Sequence, residues 1–217
     1  MKKGLIVLLL ALMAMPIMGQ IEMDYSAAVH SAYLWRGYDL AVSPVVQPDF
    51  SVSHESGAWV DVWAAFGSGY SEVDFTAAYG YEVIPGLTVE PGFIYYLVDF
   101  DPDASTYEVF AAAYYEGLAV PINLFAAHDP GLKSTYYELS TGYDLAIGAY
   151  PLSLGAGAGM QVDANIKGLS HFTFNASTEI AAGPVMIAPI LTLSLPMDDA
   201  VSTESVLFSG GASVYLP

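Results

Sequence analysis

The chain has 217 residues, 54% of them hydrophobic and 13% charged, and no cysteine. This excludes a disordered chain, a disulfide scaffold and any thiolate metal site or Cys nucleophile. The 23 acids against 5 basic residues give a formal net charge of −18, the opposite of the basic footprint that nucleic-acid binding needs.

At the N-terminus, Met1-Lys2-Lys3 is basic and Gly4 to Met15 is apolar. Small and turn residues follow in Pro16-Ile17-Met18-Gly19-Gln20. The pattern predicts a signal peptide over 1–19, cut near Gly19. The apolar run falls short of the roughly 20 residues a membrane helix needs. No lipobox cysteine calls for a lipid anchor. The remainder, 20–217, reads as one domain. Its basic residues are Arg36, Lys133 and Lys167. An exported chain without cysteine suits a bacterial envelope.

No later apolar run is long enough for a membrane helix. Period two recurs instead. From Val73 to Tyr81 the odd positions are Val73, Phe75, Ala77, Tyr79 and Tyr81, with Asp74, Thr76, Ala78 and Gly80 between them. Tyr137 to Tyr143 and Phe172 to Ile180 alternate in the same way. In chain order the predicted strands are 23–37, 44–54, 58–66, 71–82, 87–98, 106–116, 118–128, 135–144, 152–162, 170–180, 184–195 and 205–216. Most have the length of a tilted membrane strand. Tight connectors such as Glu55-Ser56-Gly57 and Ala181-Ala182-Gly183 alternate with longer, mostly polar ones at 38–43, 67–70, 99–105, 129–134, 163–169 and 196–204. Short turns at one end and longer loops at the other predict an all-β, up-and-down antiparallel outer-membrane barrel of about twelve strands. The even count puts both termini on the periplasmic side.

Two aromatic belts are predicted on the apolar face. Tyr33, Trp35, Phe66, Tyr107 and Tyr137 fall near the long loops, and Tyr25, Tyr79, Tyr81, Tyr115 and Tyr143 near the short turns. A soluble sandwich has no reason to sort its aromatics so. Pro48, Pro91, Pro121 and Pro189 fall inside predicted strands, where each removes a ladder donor, a loss that a bulge or a shifted strand boundary would accommodate. The last strand ends Val214-Tyr215-Leu216-Pro217, without a terminal aromatic.

The stretch Tyr33-Leu34-Trp35-Arg36-Gly37-Tyr38 resembles the aromatic-x-Arg-Gly motif of the TorF-type porins, a family of exported bacterial conserved hypothetical proteins. Pro44 and Gln47 on the next strand, and the run Ser56-Gly57-Ala58-Trp59-Val60-Asp61-Val62-Trp63-Ala64, extend the likeness over about residues 25–66. The resemblance implies a barrel with a channel role and names no solute.

With the apolar face toward lipid, the other face lines a lumen. Its candidate pore-lining residues are Arg36, Asp49, Asp61, Asp74, Glu90, Glu108 and Glu138. Rings of carboxylates attract and pass cations. Trp59, Trp63, Tyr96, Phe110, Tyr114, Phe125 and Tyr136 narrow the lumen, while Gly155, Gly157 and Gly159 are expected to leave one wall open. Arg36 has two non-exclusive readings: an ion pair with inward acids such as Asp49 or Asp61, or a constriction charge that orients solutes.

Catalytic and metal signals are weak. His171 and Thr173 share a face with Asn175, but the hydroxyl is Thr and no Gly-x-Ser-x-Gly elbow is present. Asp99, Asp101 and Asp103 lack the Gly and distal Glu of a calcium loop and read as a solvated loop. No cofactor, metal or catalytic residue is assigned. The sequence therefore predicts a porin-like, non-enzymatic channel of the bacterial outer membrane for small, preferentially cationic solutes. Its expected partners are outer-membrane lipid, small solutes or cations and the barrel-assembly machinery, with no nucleic acid. The alternatives are a plugged structural or adhesive barrel acting through acidic outer loops, and an outer-membrane lipid hydrolase.

Overall fold

A computed structural model describes residues 21–148 and 150–216. The signal peptide expected over 1–19 lies outside the described residues, as does Pro217. The strands are β1 (Ile21–His30), β2 (Tyr33–Trp35), β3 (Tyr38–Ala41), β4 (Val45–His54), β5 (Ala58–Gly67), β6 (Tyr70–Tyr79), β7 (Tyr81–Ile84) and β8 (Leu87–Val98). They continue with β9 (Thr106–Tyr115), β10 (Ile122–Asp129), β11 (Ser134–Ile147), β12 (Tyr150–Val162), β13 (Lys167–Ser177), β14 (Ile180–Ala182), β15 (Val185–Pro196) and β16 (Leu207–Leu216).

Every pairing is antiparallel, and β1 joins both β4 and β16, which closes the sheet. β7 continues β6, β14 continues β13, and β2–β3 form a separate two-stranded sheet. Twelve staves therefore make a closed barrel with no free edge.

Two of the staves break beside a proline. The β6–β8 pairing stops at Ala78↔Gly92 and resumes as β7 at Tyr81↔Val89, passing over Pro91. The β13–β15 pairing stops at Ser177↔Ile190 and resumes as β14 at Ile180↔Ile187, passing over Pro189. The β4–β5 ladder likewise skips Gln47 and Pro48. A missing N–H costs local pairing while the register holds, so these prolines are accommodated by gaps and not by bulges. Pro121 lies just before β10, and that stave begins at Ile122 rather than 118.

Alternation turns the usual order inside out. Val109, Leu124, Leu139 and Leu191 are each more than half exposed on the outside. Glu108, Tyr136 and His171 are buried inside. An apolar exterior around a polar interior belongs in a bilayer, and a closed antiparallel barrel of this kind is an outer-membrane protein. Tyr25, Tyr79, Tyr81, Tyr115 and Tyr143 are exposed toward the short-turn end, and Phe66, Tyr107 and Tyr137 toward the loop end. The loop end is less uniform than expected, because β5 and β6 are joined there by Ser68 and Gly69 alone.

The first predicted strand needs the largest correction. It does not run from 23 to 37. The wall strand ends at His30, where Ser31 N–H donates to the Gly210 carbonyl (2.9 Å) and Ser209 Oγ donates to the Ala32 carbonyl (2.7 Å). The chain then turns into the lumen as the β2–β3 hairpin. Tyr33 and Trp35 are thus inside the barrel and not in the lipid-facing belt.

Candidate functional site: a lumen crossed by the first hairpin

The hairpin tip is a two-residue turn, with Trp35 paired to Tyr38 and positive φ at Arg36 (49°) and Gly37 (88°). Both signs fit a type I′ turn. Asn, Asp or Gly would be the ordinary first residue, and a longer side chain there costs about 1–2 kcal/mol. The Arg36 side chain offsets that strain. Its two terminal nitrogens donate to the two carboxylate oxygens of Glu108 on β9, at 2.6 and 2.7 Å. Its guanidinium carbon lies 4.4 Å from the Trp35 ring centre and 4.2 Å from that of Tyr136. Tyr96 Oη also donates to Glu108 (2.9 Å). Among the described residues this is the one salt bridge, and it does not involve Asp49 or Asp61, the partners expected from sequence.

Gly37 sits against the opposite wall. A Cβ there would lie 2.8 Å from His171 Cβ and 3.0 Å from Val201 Cγ1. The imidazole of His171 stacks on Tyr136 at 6.2 Å, and Ser170 lies 3.1 Å from its Nδ1. A bulge opposite Gly159 and Met160 turns both Ser170 and His171 inward. The imidazole fills the space over Gly159, where a Cβ would collide with it. The glycine row is therefore not an open wall at that height. His171 packs under the hairpin.

Nearer its root, the hairpin rests on β4–β6. Tyr33, Ala41, Val45 and Ala65 form a buried apolar cluster with Trp63 and Tyr70 packed on it. Tyr33 Oη (3.0 Å) and Tyr70 Oη (2.8 Å) both donate to Glu72. Tyr38 Oη donates to Gln161 (3.4 Å) on the far side.

The hairpin divides the lumen. On the loop side is a cavity of about 530 Å³ lined by Tyr38, Tyr70, Glu72, Asp129 and Asp163 among others. Below it is a second, of about 490 Å³, lined by Asp49, Asp61, Asp74, Glu138 and Trp63. Trp35, Arg36 and Tyr96 belong to both. Asp49 and Asp61 are diagonal neighbours on β4 and β5, and Asp74 lies across from Trp63. Glu138 accepts from Tyr136 Oη (2.6 Å). Toward the short turns, Glu90 accepts from Trp59 Nε1 (2.9 Å) and Tyr114 Oη (3.4 Å). Phe110 and Phe125 pack with their rings tilted, their centres 5.4 Å apart. All the candidate pore-lining and narrowing side chains thus point into the lumen, but Glu108 is neutralised by Arg36 rather than free.

At the loop rim, Asp163 accepts from the N–H groups of Asn165 (2.6 Å) and Ile166 (2.8 Å). These bonds, the Ile166 one foremost, hold its carboxyl below the ordinary aspartate value. Sequence alternation places Glu72 on the inward face without marking it as a pore charge, and it gives no sign that Tyr33, Tyr38, Tyr70 and Gln161 belong to the site.

The fold and this lumen define a closed outer-membrane β-barrel. More narrowly, the chain belongs to a bacterial family described as of unknown function (Gcw_chp), which matches residues 17–189. That description does not carry the TorF-type name suggested by the first hairpin. Among solved structures, the fold is similar to that of the KdgM porin in complex with disordered oligogalacturonate. The TM-score is 0.57 at 10% identity, covering 88% of this chain and 96% of that one. It is also similar to the NanC porin, with a TM-score of 0.54 at 12% identity, covering 90% of this chain and all of that one (100%). No curated protein matches the sequence.

Proposed function

We propose that this chain is exported by its 1–19 signal peptide, inserted by the barrel-assembly machinery, and acts as a TorF-type outer-membrane porin. It passes small solutes with a preference for cations and carries out no catalysis. One observation carries the reading. The chamber below the hairpin is lined by Asp49, Asp61, Asp74 and Glu138, and the cation that borders it, Arg36, is already neutralised by Glu108. A confined field of one sign concentrates counter-ions. Lys133 and Lys167, the other described Lys and Arg residues, are exposed outside the chamber. The oligogalacturonate named with KdgM is a polyanion, which such a lumen would repel. The likeness to KdgM therefore supports the barrel and not its solute.

The test is the reversal potential of the refolded protein in a planar bilayer under a KCl gradient. A cation-selective potential that weakens in the double variant Asp61→Asn, Asp74→Asn is expected. Anion selectivity, or a potential untouched by the double variant, would refute the reading. A second reading, a plugged structural or adhesive barrel, is favoured by the hairpin that crosses the lumen. A folded barrel that never conducts would select it.

A further inference from the structure

Glu108 sits in a pocket shaped for a planar cation. Glu108 is 5% exposed, and its carboxylate presents both oxygens to one fork of N–H donors. Tyr96 fixes one of those oxygens from the wall. Tyr136 supplies a ring face 4.2 Å from the guanidinium carbon, and Phe125 a second ring at 5.7 Å. Carboxylate, Tyr96, Tyr136 and Phe125 all belong to the barrel wall. The cation belongs to a hairpin that has no backbone ladder with the wall. Paired N–H···O bonds and ring faces suit guanidinium or amidinium, whereas an ammonium is a point charge without a plane.

We infer that the Glu108 pocket is a binding site for guanidinium- or amidinium-bearing solutes, and that Arg36 occupies it at rest as a built-in competitor. A solute of this class takes the carboxylate, the hairpin tip leaves its pocket, and the two chambers that meet at Trp35, Arg36 and Tyr96 join. The inference deepens the channel reading and rests on it for the solute's route. Binding itself is measurable without any current.

The experiment uses Arg36→Gly, which empties the pocket while keeping a residue that tolerates positive φ. Methylguanidinium is titrated at millimolar concentration into the refolded barrel in detergent, with tryptophan fluorescence as the readout, Trp35 lying beside the pocket. Saturable binding at least tenfold tighter than that of methylammonium is expected, and it should vanish in Arg36→Gly, Glu108→Gln. Absence of saturable binding, equal binding of methylammonium, or binding that survives Glu108→Gln would each overturn the inference. Should Arg36→Gly fail to fold, hydrogen exchange in the wild-type chain decides. Methylguanidinium, and not methylammonium, should speed exchange over 33–41 severalfold, and an unchanged rate would overturn the inference. A barrel that binds methylguanidinium but never conducts would keep this site and remove the channel reading.

Discussion

The barrel wall and the hairpin inside it are both antiparallel β structure, yet they are held by different forces. Apart from gaps beside prolines and the single-partnered ends β7 and β14, each wall stave is bonded to two neighbours, and closure leaves no edge. Its stability is spread over many equivalent backbone bonds. The hairpin pairs only with itself. It is docked by a few side chains: Tyr33 on Glu72, Arg36 on Glu108, Tyr38 on Gln161, and the bare Cα of Gly37 against His171. Distributed bonding makes a wall that single substitutions barely touch. Concentrated bonding makes an element that one substitution can release.

The sharpest way to separate the two is Glu108→Gln. It leaves Arg36 buried without its counter-charge, a loss of about 3–5 kcal/mol for a buried pair. The hairpin amides of 33–41 should then exchange far faster, while the wall melts at its usual temperature. A fall in wall stability of the same size would erase the distinction drawn above. Next in size is Gly37→Ala. The added methyl meets His171 and must adopt φ near 88°, for about 2–4 kcal/mol of strain and overpacking. Hydrogen exchange should report the same local loosening, with far-UV circular dichroism unchanged. Tyr33→Phe removes one of the two hydroxyls on Glu72 and should cost about 1–2 kcal/mol of hairpin docking, smaller because Tyr70 remains.

The smallest effect belongs to the loop rim. Asp163 is held below its ordinary value by backbone donors. Its contribution is therefore complete above the unfolded aspartate value of about 3.9 and is lost as pH falls through the lower folded one. The amides of Asn165 and Ile166 should exchange faster only in that acid window, and Asp163→Asn should abolish the pH dependence. Acceleration near neutrality would mean that another group controls the loop.

Much of the wall was legible because alternation is a strictly local signal. Phe75 beside Asp74, or Leu139 beside Glu138, declares its face without knowledge of any partner strand. The prolines were legible as trouble, but not in their outcome. Whether Pro91 or Pro189 makes a bulge or a gap depends on the stave facing it. The hairpin was hidden for a physical reason. Tyr33-Leu34-Trp35 continues the alternation of β1, and what ends the stave is Ser31 and Ala32 bonding to residues 209 and 210 at the other end of the chain. Glu108 was legible as an inward acid. Its partner was not, because the contact spans 72 positions and depends on how deep the hairpin reaches.

The most direct measurement compares wild type and Glu108→Gln in one planar bilayer under the same KCl gradient. The account predicts cation-selective current in both, with larger unit conductance in Glu108→Gln because the hairpin no longer divides the lumen. Equal conductance, with both barrels folded, would contradict it.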